Sequence, residues 1–283
     1  MTDIRTRVQP SSTGMLDDMV QHIVARGQRR KAQQILLGVG LPAGLLAIWE
    51  ISCWVGFVDV RFFPPPSKII AAMVQLLLNP AESLRLGADI LATLQRISFG
   101  YGIGAIFGTL TGAFMGIYAP FRFALAPLVY STFPTPKIAI LPLMMVIFGI
   151  GDGSKIALVA LGVFYMCCIN TLSGVLYANP IFNDVSKAFR IPFWTRLTRV
   201  ILPSALPAIV VGLKLGLGQA LILVVSSEFV SSNSGIGRFI WDAWQVLDIS
   251  RMFLGLVVTC LIGALAVLFG NALERRLIPW AAR

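Results

Sequence analysis

The stretch FLGLVVTCLIGALAVLFGNAL, residues 253–273, contains no charged residue and is long enough to cross a lipid bilayer. The hydrocarbon core of a bilayer is about 30 Å thick, and an α-helix needs about 20 predominantly apolar residues to span it. A helix on the surface of a soluble protein keeps a polar face, which this stretch lacks. We therefore expect residues 253–273 to form a transmembrane helix.

The composition of the whole chain agrees with this interpretation. Of its 283 residues, 57% are hydrophobic and 13% are charged, and the mean hydropathy is +0.81. A soluble domain needs a polar surface, so most of this chain must face lipid or other helices. We predict an all-α membrane protein with six transmembrane helices, at residues 34–58, 93–117, 125–148, 155–177, 206–229 and 253–273.

The net charge of +10 indicates membrane topology rather than binding to nucleic acid, because Lys and Arg lie mainly in short segments between the apolar runs. Fourteen of them fall in the N-terminal tail, the loop at Arg122, residues 178–205 and the C-terminal end, against five in the alternate loops. Cytoplasmic loops carry an excess of Lys and Arg. Both termini and the 178–205 loop are therefore predicted to be cytoplasmic.

Two segments outside the predicted spans are amphipathic. Residues 1–33 form a polar tail, in which residues 15–31 carry apolar side chains at helical spacing and are predicted to lie on the membrane surface. A loosely ordered, solvated tail is the alternative. Residues 67–92 follow a run of three prolines and are predicted to lie on the outer face. Residues 34–283 are expected to form the transmembrane domain.

The third predicted span, residues 125–148, cannot be a regular helix because it contains Pro127, Pro134, Pro136 and Pro142. Irregular backbone at membrane depth is tolerated where it lines a cavity. A Lys at a lipid-facing helix centre costs about 2.5–3.5 kcal/mol. Thr135 and Lys137 are therefore predicted to face the interior and to line a translocation path, with snorkelling of Lys137 to an interface as the alternative.

The fifth predicted span, residues 206–229, carries polar side chains on a helix rich in Leu and Val. They include Lys214, Gln219, Ser226 and Glu228. Polar groups on a spanning helix are typical of a solute path, and Gln219 and Ser226 are the predicted path residues. The alternative is hydrogen bonding between helices, with Glu228 at the outer interface.

The second predicted span contains five glycines at an unbroken interval of four residues: Gly100, Gly104, Gly108, Gly112 and Gly116. A stripe without side chains lets another helix approach closely, which is a main source of packing energy in a membrane. Two interpretations fit this stripe: static close packing of two helices, or a surface along which one helix slides past another.

The sequence shows no machinery for catalysis. No nucleophile–base pair, carboxylate pair or metal-binding Cys/His spacing is present, and the single histidine, His22, has no second ligand nearby. The segment from Gly149 to Lys155 has neither the spacing nor the order of a phosphate-binding loop. We expect no catalytic residue, no metal, no cofactor and no ATP hydrolysis in this chain.

The loop at residues 178–205 combines positive charge with aromatic residues and ends in Leu202-Pro203. A loop whose positive charge only sets the orientation in the membrane does not need aromatic residues, but this one contains Phe189, Phe193 and Trp194. Exposed aromatics on a short helix usually fill the groove of a partner. We expect a coupling element held by a partner protein, with a solvated basic loop as the alternative.

From Phe63 to Trp280 the chain resembles the importer-permease family of the nitrate, sulfonate, taurine and bicarbonate type. The motifs that carry the resemblance are Phe63-Pro-Pro-Pro-Ser67, Pro134-Thr-Pro-Lys-Ile-Ala-Ile-Leu-Pro142, Phe148-Gly-Ile-Gly151, Gly212-Leu-Lys-Leu-Gly216, Ser234-Gly-Ile-Gly237 and Leu273-Glu-Arg-Arg-Leu-Ile-Pro-Trp280. Aligned on Leu202-Pro203, the family's Glu-Ala-Ala falls on Asp184-Val-Ser186. Arg190 stands at the position of the family's turn glycine, and Pro192 could impose the break instead.

The resemblance implies the type I fold of ATP-binding-cassette importer permeases, working by alternating access. It implies a second permease copy in a homodimer, two cytoplasmic ATPase subunits that hold ATP and Mg²⁺, and a periplasmic solute-binding protein. The location implied is the bacterial inner membrane, and the solute would be a small anion. The residues implied to couple to the ATPase are Asp184, Ser186, Phe189, Arg190, Phe193, Trp194, Arg196, Arg199, Leu202 and Pro203.

Two other classes of protein are weighed against this interpretation. A membrane-embedded enzyme would need His, Asp or Glu residues clustered at one depth. The sequence of a channel or secondary transporter that works without an ATPase would be expected to contain inverted repeats, and carboxylates within the spans that bind coupling ions. The sequence contains no such cluster and shows no inverted symmetry.

Overall fold

The computed structural model describes residues 37–177, 185 and 188–280. Helices and their connections make up this described part, and it contains no β-strand. The described residues fall into two compact units, divided between Lys68 and Ile69. The amphipathic helix predicted at residues 15–31 lies outside the described residues.

The first unit contains helix α1, Leu37–Trp54, where the sequence predicts the first span. Near the end of α1, the carboxylate of Glu50 accepts hydrogen bonds from Trp54 Nε1 at 2.9 Å and from the backbone and hydroxyl of Ser67 at 3.1 and 2.7 Å. These bonds tie the proline-rich segment that follows α1 back to the helix. Glu50 therefore has a local structural role.

Helix α2, Pro66–Leu78, is followed by the long helix α3, Pro80–Ile117. The side chain of Asn79 caps α3 by accepting from the backbone N–H of Ala81, and Pro80 occupies the first helical turn, where its missing N–H costs nothing. The span predicted at residues 93–117 is the later part of this helix. The polar residues before 93 are the first turns of the same helix, because nothing in the sequence between Pro80 and Ile117 breaks it.

The third predicted span is broken, as its prolines indicated. Its first half is helix α4, Ala119–Thr132. Its second half consists of a 3₁₀ turn, Lys137–Ile140, followed by helix α5, Leu141–Phe148. The two halves meet at an angle of 98°. Pro134 and Pro136 lie in the break, where they prevent a continuous helix. The described residues contain five helices apolar and long enough to cross a membrane, or six if this bent pair counts as one span.

The remaining helices complete the bundle. They are α6, Asp152–Leu176; α7, Phe193–Ser231; α8, Ile236–Gln245; and α9, Ile249–Leu277. Helix α6 packs between α3 and α7, and it contributes the most continuous row of buried side chains in the unit. These three helices form the core of the unit, and they carry most of the charged and polar side chains of the candidate site.

The glycine stripe of α3 packs against α6. A Cβ atom built on Gly108 would lie 2.5 Å from the backbone oxygen of Phe164, and one on Gly116 would lie 2.5 Å from the side chain of Val175. Gly104 and Gly112 meet backbone oxygens of α6 in the same way. There is therefore no room for a side chain at these α3 positions, and the backbones of α3 and α6 are in direct contact.

Candidate functional site

A buried ion pair joins α3 to α7. Arg96 Nη1 donates to Glu228 Oε1 at 2.6 Å; the Arg96 side chain is 4% exposed and that of Glu228 is completely buried. The same guanidinium donates to the backbone oxygen of Ser234 at 2.8 Å and to its hydroxyl at 2.9 Å. A charge at this depth is tolerated only when it is paired and hydrogen bonded, and both conditions hold here.

The loop after α7 is shaped around the carboxylate of Glu228. The hydroxyl of Thr93 donates to it at 2.9 Å, and the backbone N–H of Gly237 donates at 2.9 Å. A side chain on Gly235, which has φ +115°, or on Gly237 would collide with Glu228. The Ser234-Gly-Ile-Gly237 motif is thus a glycine loop that closes over a buried carboxylate.

A second carboxylate reaches the same guanidinium from the start of α6. Arg96 Nε donates to Asp152 Oδ1 at 2.8 Å, and the Asp152 side chain is 62% exposed. Next to it, the buried ammonium of Lys155 donates to the backbone oxygen of Gly151 at 3.0 Å. One guanidinium therefore connects α3, the start of α6 and the end of α7.

Lys137 lies at the break between α4 and α5. Its ammonium donates to the backbone oxygen of Phe133 at 2.6 Å and lies 4.8 Å from the centroid of the Phe133 ring and 5.1 Å from that of Tyr165. The hydroxyl of Tyr165 donates to Thr132 Oγ1 at 2.8 Å, which fixes the second ring. Within the described part of the chain, no carboxylate pairs with Lys137, so its charge is held by rings and a carbonyl alone.

Within the described residues, none of the other predicted path residues forms a hydrogen bond with the side chain of Lys137. The backbone N–H of Thr135 donates to Thr132 at 3.2 Å, and its side chain is exposed. The hydroxyl of Ser226 donates to the backbone oxygen of Ile222 at 2.7 Å. Among the described residues, the half-buried amide of Gln219 makes no hydrogen bond, although the 3₁₀ turn Lys137–Ile140 packs against α7.

Two of the polar residues on the fifth predicted span have structural partners instead. Lys214 pairs with Glu274 of α9 at 2.8 Å, and Glu228 pairs with Arg96. Glu228, for which a position at the outer interface was the alternative above, is completely buried in its pair with α3. Gln219 and Ser226 are the candidates left for a path.

The predicted coupling segment is described from Ala188 onward and at Val185. Asp184 and Ser186 lie outside the described residues. The backbone N–H of Phe189 donates to Val185 at 3.0 Å. Phe189 and Trp194 are 77% and 72% exposed, and the rings of Phe193 and Trp194 stack edge to face with centroids 5.7 Å apart.

Arg190 adopts a left-handed backbone conformation, with φ +49°. The resemblance described above aligns this position with the family's turn glycine, and glycine adopts a positive φ freely. After Pro192 the chain enters the first turn of α7 at Phe193, and the Arg196 guanidinium lies 5.8 Å from the Phe193 ring. The segment is therefore a turn followed by a helix rather than one continuous helix.

A five-residue π-helical turn, Leu197–Ile201, lies within the predicted coupling segment. It contains Arg199 and leads directly into Leu202 and Pro203. Pro203 lacks an N–H, so the α-helical bond to the carbonyl of Arg199 cannot form. The hydrogen-bond ladder is therefore weakened where the π-helical turn passes into the α-helix at Leu202.

Comparison with known proteins decides the family. The sequence profile described as "Binding-protein-dependent transport system inner membrane component" matches residues 85–279, which is more than half of the chain. The chain belongs to this family. The permease is thus a subunit of an ATP-binding-cassette importer in the inner membrane, and in such systems ATP is hydrolysed in separate ATPase subunits.

Several relatives of the chain are permeases, and the similarity covers most of their length. The permease is 30% identical to SsuC of Bacillus subtilis, named as an aliphatic sulfonates transport permease, over 96% of this chain and 98% of that protein. It is 31% identical to the taurine permease TauC of Escherichia coli over 88% and 91%, and 27% identical to the nitrate permease NrtB of Synechocystis over 84% and 87%.

A solved structure supports the same fold. The permease superposes on a chain of the MetNI methionine transporter with a TM-score of 0.61 at 19% identity, covering 70% of this chain and 99% of that chain. At this level of identity the likeness concerns the fold alone. The predicted type I importer permease fold is confirmed.

The sequence reasoning missed Arg96 and Asp152 and assigned no role to the Ser234–Gly237 motif beyond resemblance. A signal was available, because Arg96 is a charged residue inside a predicted span and needs a partner of opposite charge. The identity of that partner could not be read, since Arg96 and Glu228 are 132 positions apart.

Proposed function

We propose that this permease imports a small anion of the sulfonate or nitrate type, with Thr135, Lys137, Gln219 and Ser226 lining the path. The relatives named for their solutes carry aliphatic sulfonates, taurine and nitrate, each with an anionic sulfonate or nitrate group. A positively charged group in the path would attract such solutes and disfavour cations.

The observation that carries this proposal is the environment of Lys137. The other lysines within the predicted spans have carboxylates nearby: Lys214 pairs with Glu274, and Lys155, which donates to the Gly151 carbonyl, lies near Asp152 and Glu228. Lys137 instead lies against two rings and one carbonyl, at a break in the backbone. Its charge is therefore available to an anion.

The assembly we propose follows from the family and the charge distribution. Two copies of the permease form a homodimer with the path on its two-fold axis, since one chain supplies half a pathway. Both termini and the 178–205 loop face the cytoplasm, where residues 184–203 dock on an ATPase subunit. A periplasmic binding protein delivers the solute to the opposite face. The exposure of Phe189 and Trp194 supports the docking role.

Uptake by the complete importer, reconstituted in vesicles with its ATPase and binding protein, tests the path. Taurine, ethanesulfonate and nitrate serve as radiolabelled probes. Lys137→Met should lower uptake about tenfold, the loss of about 1.4 kcal/mol of attraction in the path. Membrane insertion should be intact, because removing a charge from a span favours partitioning.

Lys214→Met provides the matched control, since it also removes a lysine from a span but takes away a charge already paired with Glu274. It should lower uptake less than Lys137→Met. Unchanged uptake in Lys137→Met would remove Lys137 from the path. Failure of the unmodified importer to carry any of the three anions would refute the proposed solute class.

A further inference from the structure

A wide recess opens between α3 and α9. Both helices pack on α7 but hardly on each other, so they leave a groove whose floor contains Leu217 and Leu221 of α7. Met73 and Leu77 of α2 line the end of the groove near the start of α3. The groove has a volume of about 710 Å³, which is the size of a site for a small molecule or cofactor.

The lining of this recess is almost entirely apolar. Of the described residues that line it, only Ser98 and Tyr101 are polar, and the Tyr101 hydroxyl already donates to the backbone oxygen of Leu213 at 3.2 Å. A buried water needs about three hydrogen-bond partners, which this lining does not supply. A lipid acyl chain has no such requirement, because it is as apolar as the leucine side chains around it.

One row of side chains on α9 runs along the recess and leads to a positive charge. Val258, Leu265 and Phe269 line the recess, and Arg276 follows Phe269 on the same helix. Arg276 continues this face, because residues seven positions apart lie above one another on an α-helix. At about 1.5 Å per residue, Arg276 lies about 17 Å beyond Leu265, close to half the thickness of the hydrocarbon core. A phospholipid whose phosphate lies at Arg276 would therefore place an acyl chain along Phe269 and Leu265.

The end of the recess at Arg276 carries an excess of positive charge. Lys214 pairs with Glu274 at 2.8 Å, which neutralises that carboxylate. Arg275 and Arg276 are exposed, and within the described part of the chain neither forms an ion pair. Trp280, which is 58% exposed, follows them, and tryptophan is enriched where a protein crosses the membrane surface. Basic pockets between transmembrane helices bind the head groups of anionic lipids.

The opposite end of the same row is electrically balanced. Arg251 precedes Val258 by seven positions on the same face, but it pairs with Glu82 at 2.7 Å and with Asp248 at 3.3 Å. An anionic group at that end would meet these carboxylates as well as the guanidinium. The charges therefore favour the Arg276 end for an anionic head group.

We propose that the recess between α3 and α9 is a binding site for an anionic phospholipid, whose acyl chain fills the recess and whose phosphate binds Arg276. The lining residues do not include Thr135, Lys137, Gln219 or Ser226, so the site is separate from the proposed path. The inference depends neither on the solute nor on the role of Lys137.

Photocrosslinking from inside the recess identifies its occupant. Benzoylphenylalanine replaces Leu265, which lines the recess, or Val267, an exposed residue of α9 outside its lining, in the complete importer. The vesicles contain equal amounts of phosphatidylglycerol, which is anionic, and phosphatidylethanolamine, which is zwitterionic. Mass spectrometry after irradiation identifies the molecule attached to each probe. At Leu265, phosphatidylglycerol adducts should be about fivefold in excess, whereas at Val267 the two lipids should react about equally.

Arg276→Gln should remove this roughly fivefold enrichment at Leu265, because one arginine near the membrane surface strengthens the attraction for anionic lipid by about that factor. Arg276 is exposed, so the substitution leaves the packing of α9 intact.

Arg122→Gln is the matched control. Arg122 also lies in a segment predicted to be cytoplasmic, but it is on α4, which does not line the recess. This variant should keep the enrichment. The proposal is wrong if the probe at Leu265 attaches mainly to α1 or to a second permease copy, or if the two lipids react equally there. It is also wrong if Arg276→Gln leaves the enrichment unchanged, or if Arg122→Gln lowers it as much.

Discussion

Arg190 shows how one residue can keep a turn that usually depends on glycine. A left-handed backbone costs an L-residue with a side chain about 1–2 kcal/mol, whereas glycine adopts it freely. Arg190 pays this cost at φ +49° and is followed by Ile191 and Pro192, which prevent the helix from continuing. The chain thus enters α7 in the required direction despite the missing glycine.

Arg190→Gly should therefore be tolerated or stabilising, by up to about 1 kcal/mol, because it relieves the left-handed conformation. Arg199→Gly makes the same chemical change within the π-helical turn and should cost about 1 kcal/mol. Thermal unfolding of the purified importer complex in detergent compares the two. Equal destabilisation by both variants would show that Arg190 does not need the left-handed conformation.

The charged residues within the spans show where sequence reasoning ends. The sequence indicated that a lysine inside the third span needs a special environment, and Lys137 has one. It could not indicate that Glu228 is fully buried, because the partner, Arg96, comes from a helix far away in the chain. Ion pairs between distant helices depend on which helices are neighbours, and hydrophobic periodicity does not supply that information.

At the scale of elements, the contact between α3 and α6 settles the meaning of the glycine stripe in this state. Cβ atoms on the stripe would strike backbone atoms of α6, which cannot move aside as a flexible side chain can. The stripe is therefore a close-packed seam. Sliding along it would require each glycine to pass the Cβ atoms of Val163, Cys167 and Thr171.

Gly108→Ala should destabilise the permease by about 1–3 kcal/mol, because its Cβ would lie 2.5 Å from the Phe164 carbonyl oxygen. Gly102→Ala provides the control on the same helix, since a Cβ there meets nothing within 4 Å. It should be neutral or slightly stabilising, because alanine favours a helix over glycine. Detergent-resistance and thermal-unfolding assays measure both. A neutral Gly108→Ala would show that the seam is looser than described.

Most of the long helices could be predicted from the length of their apolar runs. Their ends could be predicted where a proline or a capping residue marks them. The break in the third span was predicted because prolines remove backbone donors wherever they stand. Residues 67–92 were predicted only as an amphipathic segment on the outer face, so the sequence analysis did not locate the start of α3 at Pro80. Asn79 and Pro80, a cap and a first-turn proline, were the better signal.

At the scale of the whole molecule, the permease is incomplete without partners. The rings of Phe189, Phe193 and Trp194 are exposed at the start of α7. This end of the helix lies in the loop at residues 178–205, which is predicted to be cytoplasmic. Large exposed aromatics on a short segment are unfavourable in water and usually mark a binding surface. The π-helical turn then links this surface to the span that carries Gln219, Ser226 and Glu228.

The most direct test of this account is the stoichiometry and activity of the ATPase bound to a Phe193→Ala/Trp194→Ala variant. Burial of one aromatic anchor often contributes about 2 kcal/mol or more to an interface. The account predicts less ATPase co-purified per permease than in the unmodified protein, and loss of binding-protein-stimulated hydrolysis in vesicles. Wild-type values for both measurements would contradict the assignment of this segment as the coupling element.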